Sequence, residues 1–269
     1  MIDVQLLSRH ALVALSMLAI IVNPAVATTP APAVAEQIHI SGAVLQPGDY
    51  EWRQGARLRD ATVAGQVSAN AWPLGAALLR QQAVEPQRRL KAGVLFDLQV
   101  NSVHAMAGNN PALQQLTKRL HTWVSDMPAT GRVVAELNPF QLLLKSKNAL
   151  LEPGDELIYP TRPASIQVLG AVSADCQLPF SATLKLKDYL KQCPAHPAAD
   201  PSFVYLIQPN GATQKVGIAH WNQQRAVIAV GGLIYRPLKS ALMAPDTSEL
   251  NQDIAALLAT QYRLGGNFK

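Results

Sequence analysis

Charge is scarce in this chain. Only 15% of its 269 residues are Asp, Glu, Lys or Arg, and no run of five or more basic residues occurs. A nucleic-acid binder needs a dense basic stripe to displace counterions, so nucleic acid is not an expected partner. Aromatic residues make up 6%, too few for a carbohydrate cleft paved with stacked rings. After one early apolar run of 12 residues no long apolar stretch follows. A spanning helix needs ~20 such residues, so an integral membrane protein is not expected either. G-x-S-x-G, H-E-x-x-H and G-x-G are all missing, which removes the hydrolase-elbow, zincin and dinucleotide fingerprints. His39, His104, His121, His196 and His220 are scattered, with no pair at i, i+4, so no metal site is expected. Asp49 with Glu51, and Asp155 with Glu156, are the nearest approach to paired acids. Asp49 and Glu51 flank a turn and read as solvated, and Asp155 and Glu156 belong to the turn after Pro153-Gly154. The expectation is a protein without cofactor and without a catalytic constellation.

What is present begins with an export signal. Arg9 and His10 precede the apolar run Ala11–Val22, and two small-x-small sites follow, Ala25-Val26-Ala27 and Ala33-Val34-Ala35. This pattern predicts a signal peptide over 1–27, with cleavage as late as residue 35, and an exported protein. No cysteine stands near the cleavage site, so a lipid anchor is not expected. The two cysteines, Cys176 and Cys193, are expected to pair in an oxidising compartment. Closing that loop is worth ~3 kcal/mol in the chain-entropy picture.

The chain also repeats itself. Ile38-His-Ile-Ser-Gly-Ala-Val44 aligns without a gap on Ile166-Gln-Val-Leu-Gly-Ala-Val172, and the same offset of 128 carries Leu58-Arg-Asp60 onto Leu186-Lys-Asp188. Leu157-Ile-Tyr159-Pro160 and Leu233-Ile-Tyr235-Arg-Pro237 read as matching ends. Each copy starts with an alternating strand, turns, forms a second strand and opens a short helix. In the second copy a hairpin Phe203–Ile207/Ala212–Ile218 turns at Pro209-Asn210-Gly211, and a closing strand is expected over Val227–Tyr235. Strands with a helix laid on one face predict an α+β fold of two tandem β-grasp domains, over 36–160 and 161–240.

The first copy holds an insertion at about 71–128. Asn110-Pro111 opens a helix with Leu113, Leu116, Leu120, Trp123, Val124 and Met127 in one stripe. Glu85-Pro86 is expected to start the helix before it, and Trp72-Pro73 a shorter one, so the insertion reads as a helical hairpin. The chain closes with an amphipathic helix at 246–264. Asp246-Thr-Ser-Glu249 is shaped like a capping box, and Leu250, Ile254, Leu257, Leu258 and Tyr262 follow at helical spacing.

The order at Ile38–Ala61, strand, Gly-Ala-Val, Pro-Gly-Asp-Tyr and Leu-x-Asp-Ala, resembles the soluble-ligand-binding β-grasp (SLBB-like) modules of polysaccharide export proteins of the Wza type. Two such modules, the hairpin insertion, an export signal without a lipid-anchor cysteine and the terminal helix together resemble the GfcC-like capsule-biosynthesis family, over about Glu36–Arg263. The resemblance implies a non-enzymatic periplasmic factor for capsule or exopolysaccharide assembly and secretion. It implies partners such as an outer-membrane polysaccharide export channel or another capsule-assembly protein. A polysaccharide-binding or polysaccharide-modifying protein is the alternative.

Candidate binding residues follow from charge and placement. The insertion (72–128) holds six basic against three acidic residues and the second copy (161–240) eight against three, a bias that suits an anionic polysaccharide or anionic lipid headgroups. Arg119 falls between Leu116 and Trp123 on the helical wheel; it must reach water, pair with a carboxylate or present its fork to a ligand. Arg88 lies in the same insertion. His220 and Trp221 follow a strand, where the indole either stacks on a sugar or packs. Leu250, Ile254, Leu257 and Leu258 are expected to face a partner, with folding back onto the chain's own sheets as the alternative.

Overall fold

A computed structural model describes residues 36–262; the expected signal peptide and Arg263 lie outside them. Two five-stranded sheets have the same strand plan. The first joins β1 (Gln37–Gly42), β2 (Gly48–Glu51), β3 (Ala77–Leu79), β4 (Arg132–Val133) and β5 (Glu156–Tyr159) in the order β2-β1-β5-β3-β4. The second joins β6 (Ser165–Gly170), β7 (Cys176–Pro179), β8 (Phe203–Ile207), β9 (Thr213–Gly217) and β10 (Leu233–Arg236) in the order β7-β6-β10-β8-β9. In each, the central pair is parallel, β1 with β5 and β6 with β10. A helix follows the first hairpin of each copy, α1 (Leu58–Gly65) and α4 (Leu186–Gln192). Asp60 and Asp188 cap these helices alike, accepting the backbone N–H of Arg57 at 2.8 Å and of Lys185 at 3.0 Å.

The Gly-Ala-Val motif has a physical reason. Gly42 and Gly170 have φ of +89° and +99°, and a Cβ there would lie 2.2 Å from the Tyr159 carbonyl oxygen or 2.4 Å from that of Arg236. Only glycine lets the first strand cross that close to the end of its parallel neighbour. The next residue then donates to the same carbonyl, Ala43 to Tyr159 at 2.6 Å and Ala171 to Arg236 at 2.8 Å.

That geometry corrects the matched ends by one residue. Ile40 pairs with Leu157, whereas its counterpart Val168 pairs with Ile234. Pro160 therefore corresponds to Pro237, and Tyr159 to Arg236 rather than to Tyr235. A one-residue step turns a side chain to the other face. Tyr159 packs with Ile38, Ile40 and Leu58 beneath α1, while Tyr235 packs on the face away from α4.

The insertion also differs in detail. Ala77–Leu79 is a sheet strand, too short to show alternation. The helices α2 (Gln81–Ala107) and α3 (Pro111–Asp126) issue from the connection between β3 and β4, where the second copy has the tight turn at Pro209-Asn210-Gly211. Helix α2 starts four residues before Glu85 and carries Pro86 inside it. Asn110 caps α3 as expected, its side chain accepting the Leu113 N–H at 3.1 Å. The closing strand begins at Leu233, not Val227, which is 83% exposed. No described helix is long and apolar enough to cross a membrane.

The largest core lies between the second sheet and α2, α3 and α5 (Leu250–Ala259). Val94, Leu98, Leu116, Leu120 and Val124 meet Tyr205, Ile207, Leu233 and Tyr235 there. The inserted helices pack on the second sheet and leave the first sheet one covered face.

Candidate functional site

The site is built at the end of the second sheet. Strand β9 ends at Gly217, where a Cβ would sit 2.1 Å from the Asn222 carbonyl oxygen, so only glycine lets the chain return this close. The connection 218–227 therefore folds hard against the strand end. Asn222 holds it, accepting the Ala219 N–H at 3.0 Å and donating to the Ser202 carbonyl at 3.1 Å. Gln224 donates its backbone N–H to the Gly217 carbonyl at 3.0 Å. This return brings Gln223, Gln224 and Arg225 opposite the first turn of α4.

Between them lies a cleft of about 580 Å³. Its charged lining is Lys185, Lys187 and Arg225, with Gln223 and Gln224 beside them and no carboxylate. Lys185 and Lys187 flank Leu186, which is buried in the core beneath α4, so the alternation of a short turn holds both ammonium groups outward. Asp188, the acid nearest in sequence, is occupied by the Lys185 backbone. Among the described residues none of the three cations makes an ion pair. Two ammonium groups and one planar guanidinium, with two amides, can hold a chain that carries carboxylate, sulfate or phosphate along with hydroxyls.

The expected site residues are distributed differently. Trp221 is 74% exposed and meets Phe203 edge-on, with ring centroids 6.4 Å apart; His220 is exposed beside it. The Lys215 ammonium stands 4.6 Å from the Phe203 centroid. These rings lie at the same strand end as the cleft without lining it. Arg88 is exposed on α2, far along the chain from these groups.

Arg119 is consumed by the fold. Its guanidinium donates to the carbonyls of Gly170 at 2.9 Å, Val172 at 2.6 Å and Ser173 at 3.1 Å, tying α3 to the end of β6. Burial raises the Asp175 carboxyl above its ordinary range, with Arg119 opposing the shift. Burial, helped by Arg119, lowers the His196 imidazole, consistent with its Nδ1 accepting the Ala198 N–H at 3.1 Å.

Leu250, Ile254, Leu257 and Leu258 do not face a partner. All four are fully buried within the chain's own largest core, because the outer face of the second sheet needs cover. The helix begins at Leu250 and Asp246 does not cap it; Pro245–Thr247 form a separate 3-10 turn. Asp155 is likewise structural. It is 1% exposed and clasped by Arg80, Nε to Oδ1 at 2.9 Å and Nη2 to Oδ2 at 3.0 Å. Cys176 and Cys193 are bonded, with Cα atoms 6.0 Å apart.

Sequence reasoning missed Lys185, Lys187 and Arg225. Its signals were the basic excess of the second copy and the Lys-Leu-Lys alternation, but nothing local brought Arg225 back to them.

Residues 174–262 match the family model described as capsule biosynthesis GfcC C-terminal. Over that segment the chain is similar to the GfcC capsule-biosynthesis family. The cleft, from Lys185 to Val227, lies wholly within the matched residues. A curated protein of Escherichia coli (strain K12), described as uncharacterized protein YjbG, is 25% identical over 191 residues. The alignment covers 71% of this chain and 76% of that protein.

Proposed function

We propose that the protein is a non-enzymatic periplasmic factor of capsule or exopolysaccharide assembly, and that it works by holding an acidic polysaccharide in the cleft of the second sheet. The observation that carries this is a cleft lined by Lys185, Lys187 and Arg225 with no acid, inside the stretch that matches a capsule-biosynthesis family. The two sheets, each with a helix laid after its first hairpin, support the β-grasp reading. In that reading the protein would deliver polymer to, or steady it at, an outer-membrane export channel or another capsule-assembly protein.

Binding fits this geometry better than catalysis. The buried acid Asp155 is saturated by Arg80, and the cleft offers cations and amides but no group placed to take a proton. Exposed Trp221 and half-buried Phe203 at the same strand end add a surface for sugar C–H groups.

Titration calorimetry with an acidic and a neutral capsular polysaccharide tests the reading. The acidic polymer should bind, its affinity should fall steeply with salt, and its chain length should not change over time. Equal affinity for both polymers, or polymer shortening, would overturn it.

A further inference from the structure

The segment 134–155 between β4 and β5 presents apolar side chains to solvent from a fixed backbone. Leu137 and Leu142 are buried beneath the first sheet's helix and anchor it from within. Asn138 accepts the Phe140 N–H through its side chain at 3.0 Å and the Leu142 N–H through its carbonyl at 3.0 Å. Asn148 closes the other end, accepting the Arg59 N–H at 2.9 Å and the Arg57 guanidinium at 2.7 Å. A single 3-10 turn, Gln141–Leu143, lies between. In such a turn i and i+3 eclipse, so Phe140 and Leu143 share the side opposite Leu142. Phe140 is 81% exposed, Leu143 62% and Leu144 54%.

Cations flank this prong. Lys145 and Lys147 follow it directly and are exposed, as is Arg59 beside Asn148. The nearby acids are occupied: Asp60 accepts the Arg57 N–H and Glu136 the Asn138 N–H. We propose that this prong docks the protein on an anionic phospholipid surface, with Phe140, Leu143 and Leu144 in the headgroup–acyl boundary and Lys145, Lys147 and Arg59 at the phosphates. Apolar side chains beside cations are the pattern an anionic interface rewards. A second copy offers no comparable anionic plane, because its insertion (72–128) and second sheet (161–240) carry the basic excess counted above. The exposed stripe of α2, Phe96, Val103 and Met106, has Asp97 and Gln99 beside it in place of cations and carries no such preference.

Vesicle co-sedimentation tests this on the purified full chain. Every form shares residues 1–35, so differences between forms report the prong. Phosphatidylglycerol-rich vesicles should take up the protein and pure phosphatidylcholine vesicles should not. Lys145→Ala with Lys147→Ala should weaken partitioning at least about tenfold. Phe140→Ser with Leu143→Ser and Leu144→Ser should abolish it, with melting temperature and polysaccharide binding unchanged. Equal sedimentation of all forms, or equal uptake by neutral vesicles, would overturn the proposal. So would a dimer in analytical ultracentrifugation that the serine variant dissolves, since that assigns the prong to a second copy.

Discussion

The two sheets share a strand order and differ in what covers them. The first has α1 on one face, and its central strands alternate between buried and half-buried positions. The second is covered on both faces, by α4 on one and by α2, α3 and α5 on the other, and β6, β8 and β10 are buried almost throughout. The pair of inserted helices is part of the first copy by sequence and part of the second by packing. Two small changes permit this. Lengthening the β3–β4 connection supplies the helices, and the one-residue shift in β10 turns Tyr235 outward to meet them. The tyrosine then donates to Asn251 of α5 at 3.1 Å.

The disulfide follows the same contrast. At the offset of 128, Cys176 and Cys193 replace Gly48 and Gly65. A Cβ on Gly65 would lie 2.8 Å from the Ile40 side chain, so in the first copy isoleucine fills the space. In the second copy the smaller Val168 leaves room for the Cys193 sulfur. The clefts differ too. A first-copy cleft of about 560 Å³ is lined by Glu51, Asp60 and Arg53, and Arg53 is paired with Glu51 at 3.2 Å. Mixed charge there offers an acidic polymer little, whereas the basic lining of the second copy is the site proposed for it.

Removing the extra cover of the second sheet should have the largest effect. A chain ending at Asp246 loses four fully buried apolar side chains, each worth ~2–5 kcal/mol, which exceeds the stability of an ordinary domain. It should be insoluble or melt without cooperativity, as solubility and circular dichroism would report. Arg132 comes next. It is 6% exposed and its guanidinium donates to Gln261 at 2.7 Å, Ala76 at 3.2 Å and Pro209, linking the first sheet, the second hairpin and the chain end. Burial without a carboxylate partner lowers its pKa to about 10. Arg132→Met should cost ~3 kcal/mol in urea unfolding by orphaning three carbonyls. Cys176→Ser with Cys193→Ser should cost about as much, ~3 kcal/mol, and loosen hydrogen exchange around α4 while leaving α1 unchanged.

The smallest effect sharpens the account electrostatically. Burial and the neighbouring carboxylates Asp97 and Glu249 raise Asp253 on α5, and burial raises Asp97 on α2. An acid raised by folding binds more protons folded than unfolded, so its cost is present at neutral pH and fades as pH falls through the raised value. Asp253→Asn should therefore stabilise by a few tenths of a kcal/mol at pH 7, the size expected of a mostly solvated pair. That gain should shrink towards pH 4 in paired thermal melts.

Much of the fold was legible because the repeat is written in backbone necessities. Gly42 and Gly170, the capping Asp60 and Asp188, and the Asn110 cap each answer a local demand that leaves a residue type behind. Ala77–Leu79 left none, since three residues carry no period, and Pro86 suggested a helix start where packing on α3 extends the helix past it. Helix α5 showed its apolar stripe but not its destination, because periodicity reports a buried face and never the surface that buries it. The cleft was hidden for a related reason. Lys185 and Lys187 were visible as charge, while Arg225 joins them only through the close approach of Asn222 to Gly217.

Hydrogen exchange by mass spectrometry, on the protein saturated with an acidic capsular oligosaccharide, tests the central claim most directly. The account predicts added protection over 184–190 and 217–228, and none over the first-copy cleft at 50–64. Lys185→Ala with Lys187→Ala and Arg225→Ala should erase that protection. Equal protection of both clefts, or binding that leaves 184–190 and 217–228 unprotected, would contradict it.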